Sequence, residues 1–229
     1  MDSGATCPLS CRERVSHLCV GRLLFGSLPD EALWTHLVRD HHISLIVSMV
    51  PLQERHRGPK CPPPPHVPLL RVPVTDQSVP SDTEHLIASL RLASRHLLHR
   101  REHCVFVHCK GGHGRSALFS GLLFAQLFPF VRPHQVIHLL TLAHRNRVNM
   151  RARYAMLPCP THPRQRRYVR RFVSTFSAIP LLQCLLHARE TDPKRALVLV
   201  VVVTIWHCVW RQCGPAAVHR MWTPPAVKM

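Results

Sequence analysis

The chain has 229 residues, room for one ordinary domain with tails. Lys and Arg number 30 against 12 Asp and Glu, a formal net charge of +18, and 46% of residues are apolar. That apolar content supports a core and excludes disorder throughout, while the charge favours phosphate-rich partners: nucleic acid, anionic lipid or phosphoprotein. The charge is uneven, because the 87 residues between Glu102 and Glu190 hold no Asp or Glu but thirteen Arg or Lys. The N-terminus lacks the apolar stretch of a secretory signal. The ten cysteines are therefore expected as free thiols in an intracellular reducing compartment, cytoplasm or nucleus. Cys7, Cys11, His17 and Cys19 lie close together, but their spacings do not make the two halves of a structural zinc module, so no metal and no other cofactor is expected.

Along the chain, the first residues, to about Ser16, are polar and without pattern, and a loose N-terminal segment is expected over residues 1–14. Residues 22–25 read as a strand, 29–40 as a helix and 44–49 as a short apolar strand. Residues 51–68 are rich in proline, with Pro62 to Pro65 consecutive, and read as a loop. Residues 69–74 are extended. Ser81 followed by Glu84 fits a capping box with Ser81 as N-cap, and the helix after it carries Leu86, Leu90, Ala93 and Leu97 on one face. Residues 104–108, Cys-Val-Phe-Val-His, read as a buried strand, and 116–128 as a helix apolar nearly all round. Two amphipathic helices follow, over 133–144 and 161–176, the second with Val169, Phe172, Val173 and Phe176 on one stripe. Strands alternating with helices predict an α/β domain over residues 15–177, with a central, mostly parallel sheet flanked by helices on both faces. Residues 178–229 form a tail. Within it, residues 196–210 are an apolar, valine-rich run flanked by Lys194, Arg195 and Arg211. Fifteen residues are short of the roughly 20 that span a bilayer, and the run reads either as a membrane anchor or as a hydrophobic tail.

The segment richest in chemistry is His108-Cys109-Lys110-Gly111-Gly112-His113-Gly114-Arg115-Ser116, which holds three of the chain's nine glycines between a strand and a buried helix. Glycines there let successive backbone N–H groups of Lys110, Gly111, Gly112, His113, Gly114 and Arg115 turn inward on one anion. The start of the following helix adds its positive dipole end, and Arg115 can grip two phosphate oxygens. Amides and a guanidinium around Cys109 favour its thiolate, a nucleophile placed below a bound phosphorus.

This Cys-x5-Arg-Ser pattern resembles the cysteine-based protein tyrosine phosphatases, and more closely their dual-specificity branch. The resemblance covers about 160 residues. Leu24-Phe-Gly-Ser27 resembles the family's opening strand and turn, and Ile46-Val-Ser-Met49 followed by Glu54 its next strand. Val72-Pro-Val-Thr-Asp76 with Pro80 resembles the loop that delivers a general acid, and Pro163-x-Gln165 a segment after the phosphate loop. The resemblance implies a phosphocysteine mechanism that needs no metal. Cys109 is the nucleophile, Arg115 holds the equatorial oxygens and Ser116 hydrogen-bonds the sulfur. Asp76 is preferred as general acid over Asp82, whose place in the first turn of a capped helix already accounts for it. His108 reads as a buried residue that orders the loop, and Gln165 as a candidate to orient the attacking water. Ala117 stands where the family often has glycine.

Lys110 and His113 occupy variable loop positions, where basic residues accompany inositol-phospholipid substrates in relatives; His113 fits only when protonated. Nine arginines fall between Arg145 and Arg171, with Arg164, Arg167 and Arg171 on one helical face and Arg166 and Arg170 on another. They read as a membrane-surface or RNA-binding face or as a solvated one. No RNA-binding signature accompanies them, which disfavours nucleic acid as the primary partner. The leading expectation is a phosphoprotein substrate bearing phosphotyrosine or phosphoserine/phosphothreonine. The alternatives are a phosphoinositide or RNA 5′-phosphate at the same site, or a phospho-binding module without turnover.

Overall fold

Strands β1 (Val15–Leu18), β2 (Leu23–Gly26), β3 (Ile43–Ser48), β4 (Leu69–Arg71) and β5 (Cys104–His108) form one sheet in the order β1-β2-β5-β3-β4. The coordinates are a computed structural model that describes residues 14–19, 21–55, 61–129, 131–148 and 150–176. The β1–β2 pair is antiparallel and every other pair is parallel, as the alternation of strands and helices predicts. Residues 196–210, Phe176's side chain, Cys7 and Cys11 lie outside the described residues.

Alternation along the central strand explains the two-sided core. Val105 and Val107 of β5 face one apolar cluster, and Cys104 and Phe106 face the other. With both faces covered, β5 is buried at all five positions, and each buried Val or Phe contributes about 1.5–3 kcal/mol of transfer free energy. The smaller cluster takes Leu33, Trp34 and Leu37 from α1 (Glu31–His41). The larger takes helices α3 (Thr83–His99), α4 (Arg115–Leu127), α5 (Pro133–Arg145) and α7 (Pro163–Phe176). The single turn α2 (Leu52–Arg55) interrupts the proline-rich stretch that reads as loop from sequence, and the single turn α6 (Ala152–Ala155) lies between α5 and α7. Helix α4 is the innermost and buries nearly its whole circumference, as its uniform apolar character requires. The stripe on α7 is buried at Val169, Phe172 and Val173.

Two local readings change. Strand β1 begins at Val15, inside the stretch that looks patternless, because Val15 and Leu18 are buried against the sheet and its antiparallel partner β2 supplies the pattern. The N-cap of α3 is Asp82, not Ser81: the Asp82 carboxylate accepts the backbone N–H of His85 at 2.9 Å, and Thr83 is the first helical residue. The capping carboxylate therefore sits one residue later than the Ser-x-x-Glu spacing implies.

The extended stretch after β4 positions Asp76. The ladder ends at Arg71, yet Val72 N–H donates to Ser48 O at 2.9 Å and Val74 N–H to Met49 O at 3.1 Å. Val72 and Val74 are both buried. The chain is thus carried along the end of β3 until Asp76 reaches the carboxyl ends of the parallel strands, where open α/β sheets hold their ligands.

The capping role of Asp82 is measurable. Asp82→Ala should lower the unfolding free energy by about 1 kcal/mol, read by denaturant titration, while leaving turnover of an aryl phosphate intact.

Candidate active site

Cys109 is the first residue past β5, and the loop after it is pinned to the end of β2. Cys109 N–H donates to Gly26 O at 3.3 Å, and Leu28 N–H donates to Lys110 O at 3.2 Å. The turn needs its glycines for different reasons. Gly112 has φ +76, and a Cβ there would meet Ser27 N at 2.4 Å and Gly26 C at 2.6 Å. Only a residue without a side chain passes so close to β2 in the left-handed region. A Cβ on Gly114 would meet Gln165 Oε1 at 2.6 Å. With this path, Gly112 N–H donates to Cys109 Sγ at 3.1 Å, and Ser116 Oγ lies 3.5 Å from the same sulfur. The sulfur is nearly enclosed, with Cys109 3% exposed.

Arg115 opens α4 and is 2% exposed. Its Nη1 donates to Glu54 at 2.9 Å and 3.1 Å and to Val74 O at 2.9 Å, and its Nη2 pairs with Asp76 Oδ1 at 3.2 Å. Its Nε is buried with no hydrogen-bond partner, a donor that suits an incoming oxyanion. Glu54 therefore sets the plane of the guanidinium. The sequence placed Glu54 only in a resemblance to a strand region; it lies in the turn α2 and acts through a contact 61 residues away in the chain.

The tertiary structure brings Asp76, Cys109, Arg115 and Ser116 to one place. Asp76 is 67% exposed at its side chain, at the mouth of the site, whereas Asp82 is engaged at the start of α3. Gln165 is buried in the first turn of α7, with its Nε2–H donating to Ser78 O at 2.8 Å. Its Oε1 is buried without a hydrogen-bond partner. It bridges the Asp76 loop to Gly114. His108 is buried edge-on to Trp34 and stacked on Phe106, at centroid separations of 5.9 Å and 6.0 Å. These contacts tie the ring to the smaller apolar cluster.

The loop's two variable positions differ. Lys110 is exposed. His113 shares a hydrogen bond with His144 (Nδ1 to Nε2, 2.8 Å) and stacks on Tyr154 at 3.9 Å. Burial, then the nearby Arg147, Arg153 and Arg151, pushes its ionisation down to about 4. Burial and Arg147 push His144 to about 3. His113 is therefore neutral near pH 7 and adds no charge to the pocket.

Arg147, singled out by nothing in the sequence, is 5% exposed and lies directly behind the loop. Its Nη2 donates to Gly112 O at 3.0 Å and Phe25 O at 3.1 Å, and its Nε donates to Ser16 Oγ at 2.7 Å. On α7, Arg164, Arg167, Arg170 and Arg171 are exposed. Arg166 instead donates to the carbonyls of Pro160 and Thr161, at 2.8 Å and 2.6 Å. Among the described residues, no group of His, Cys, Asp and Glu is arranged to hold a metal, and no helix is long and apolar enough to cross a membrane.

Known proteins share this fold. The chain superposes on PTPMT1 solved in complex with PI(5)P, with a TM-score of 0.55 and 22% identity over 72% of this chain and 97% of that one. It also superposes on kinase associated phosphatase carrying serine for its catalytic-site cysteine, with a TM-score of 0.53 and 18% identity over 72% and 96%. The chain has the fold of the cysteine-based dual-specificity phosphatases. DUSP15, with the same fold, matches at a TM-score of 0.51 and 19% identity over 71% and 89%. A protein of invertebrate iridescent virus 3 described as tyrosine phosphatase 067L is 33% identical over 72 residues, 31% of this chain and 30% of that protein. The match thus spans less than a third of the viral relative's length. No family model matches. In this fold the Cys-x5-Arg loop stands at the carboxyl end of the central strand β5.

Two measurements probe the site's construction. Gly112→Ala should lower the melting temperature and remove most reactivity at Cys109, because a Cβ collides with the backbone of β2; a variant as active and stable as the parent would contradict this packing. His113 and His144 bind protons less readily when folded than when unfolded, so the unfolded state takes up more protons below about pH 6.5. Stability should fall as pH drops from about 6.5 toward 4. The pH dependence of the melting temperature across that window should become shallower in the His113→Gln/His144→Gln double variant, with His17 keeping its own share.

Proposed function

We propose that this chain is a phosphatase that hydrolyses phosphotyrosine and phosphoserine/phosphothreonine esters in proteins through a phosphocysteine intermediate. The observation that carries the reading is the placement of Cys109 Sγ, 3.1 Å from Gly112 N–H and 3.5 Å from Ser116 Oγ, in the loop that runs into the buried Arg115. The backbone N–H groups from Lys110 to Arg115, with Gly111 and Gly114 among them, take the equatorial oxygens, together with the unpaired Nε of Arg115.

In the first step the Cys109 thiolate attacks phosphorus, the S–P bond forms and the ester P–O bond breaks. Asp76 gives its proton to the departing alkoxide or phenoxide. In the second step water attacks phosphorus, Asp76 carboxylate takes the water's proton, and the P–S bond breaks to release inorganic phosphate. The Ser116 hydroxyl donates to the leaving sulfur, and the free Oε1 of Gln165 accepts from the water. The Asp76–Arg115 pair holds the acid at the pocket until a phosphate takes up the guanidinium.

The choice of protein phosphate rests on charge. A neutral His113 leaves Lys110 as the cation at the two variable loop positions, which suits an isolated monophosphate better than a densely phosphorylated headgroup. A phosphoinositide is the second reading, favoured by the similarity to PTPMT1 solved with PI(5)P. An anionic membrane surface would then engage the exposed arginines of α7.

Turnover of p-nitrophenyl phosphate should vanish in Cys109→Ser. With a poor leaving group, Asp76→Asn should lower kcat by about 10²-fold or more. Phosphopeptides should be turned over faster than PI(5)P in vesicles or triphosphorylated RNA. Wild-type protein that binds phosphopeptide without turning over any phosphate ester would refute the enzyme, and faster hydrolysis of PI(5)P would refute the substrate class.

A further inference from the structure

A buried guanidinium normally meets a carboxylate, because an uncompensated charge in a low-dielectric interior is costly. Arg115 follows that rule, with Glu54 and Asp76 around it. Arg147 does not. Its hydrogen bonds go to a hydroxyl and two carbonyls, those of Ser16, Phe25 and Gly112, and its guanidinium lies 5.4 Å over the Phe25 ring. Among the described residues, no carboxylate lies within ion-pair distance of it. Burial pushes its ionisation down only to about 10, so it stays charged at neutral pH.

The groups around that charge are neutral or can become anionic. His17 of β1, His113 of the loop and His144 of α5 are all held neutral, with burial the main cause and Arg147 a further one. Cys159 precedes α7, and burial pushes its thiol up to about 12, which leaves it protonated. The other charged groups that act on this shell are the cations Lys110, Arg115, Arg145, Arg151, Arg153 and Arg166 and the carboxylates Glu54 and Asp76, both of which are drawn to Arg115. Beside those carboxylates, Cys109, hydrogen-bonded to the same turn that Arg147 holds, is the group that the chemistry requires as an anion.

We infer that Arg147 is a positioning residue of the phosphate loop and the fixed counter-charge of the Cys109 thiolate. Its Nη2 holds the carbonyl of Gly112, which fixes the left-handed turn that points Gly112 N–H at the sulfur. Its charge compensates the thiolate before substrate arrives, a duty distinct from that of Arg115, which faces the substrate's oxygens. The inference builds on the phosphatase reading, but it concerns the sulfur and can be tested without any phosphate ester.

The test is the rate at which iodoacetamide alkylates Cys109 in the full chain as a function of pH, followed by mass spectrometry of the peptide containing it. Arg147→Met should raise the midpoint of that curve by about one pH unit or more, with an approximately tenfold slower reaction below it; each unit is a tenfold change in thiolate fraction. Arg147→Lys, which keeps the charge, should restore most of the shift. Ser16→Ala should leave the midpoint in place, since it removes a bond and not the charge. Arg22→Met is the comparison for lost structure alone. Arg22 donates to the carbonyls of Leu97, Arg100 and His103 at the opposite end of β5, and its loss should lower the melting temperature without moving the midpoint. Should Arg147→Met not fold, Arg147→Gln keeps a donor for the carbonyls, drops the charge and carries the same prediction. A midpoint unchanged in the folded Met or Gln variant would overturn the inference, as would a Lys variant shifted as far as Met. A wild type inert toward every phosphate ester, with the midpoint still shifted in Arg147→Met, would overturn the phosphatase reading and leave this one standing.

Discussion

The contact on which the site depends is a single backbone N–H directed at a sulfur. Gly112 reaches Cys109 Sγ because its backbone lies in the left-handed region and is pressed against Gly26 and Ser27 at the end of β2. That press exists because β2 and β5 are parallel neighbours in register, Gly26 beside His108. The register follows from burial of both faces of β5, since a slip of one residue would exchange the two apolar clusters. Core packing, sheet order and nucleophile geometry are thus links in one chain. The loop is held by the same hydrogen bonds that close the sheet's carboxyl end.

The high arginine content divides into two populations with different physics. Arg22, Arg147 and Arg166 use their guanidinium groups chiefly on backbone carbonyls, where the five donors of a planar fork close loops and helix ends that otherwise lack partners. Arg14 joins β1 to the start of α1 through Ser27, Leu28 and Asp30. A second group, including Arg164, Arg167, Arg170 and Arg171, faces solvent. Net charge alone therefore overstates how much of the positive surface is free to meet an anion. Lysine would keep the charge of the first group but not its bonds, because a point charge cannot span two or three carbonyls at once.

The acidic residues divide in a complementary way. A segment without Asp or Glu runs through the loop and the helices behind it, so the carboxylates at the site come from elsewhere. Glu54 comes from the turn after β3 and Asp76 from the stretch after β4. Both reach Arg115 because β3 lies parallel beside β5, β4 lies parallel beside β3, and their carboxyl ends face the same way. Asp30 and Asp82 instead cap α1 and α3. Of two neighbouring candidates for proton donor, the fold commits Asp82 to the backbone amide of His85 and leaves Asp76 exposed beside the guanidinium.

Much of this was legible in the residues themselves. The strand–loop–helix around Cys109, the buried character of α4, the apolar faces of α3 and α7 and the parallel α/β architecture all follow from local pattern. So does the pairing of Cys109 with Arg115 and Ser116, because five intervening residues with three glycines make one anion-facing turn. What local pattern did not contain was every contact between groups distant in the chain. Glu54 stood only as part of a resemblance to a strand region, Arg147 as one arginine among nine, and His113 as a residue able to carry charge. Burial and the neighbours Arg147, Tyr154 and His144 decided that it does not. Spacing can specify a turn whose atoms are bonded in series. Charge state and orientation depend on which side chains the sheet brings together and how far it removes them from water, and only the tertiary structure decides that.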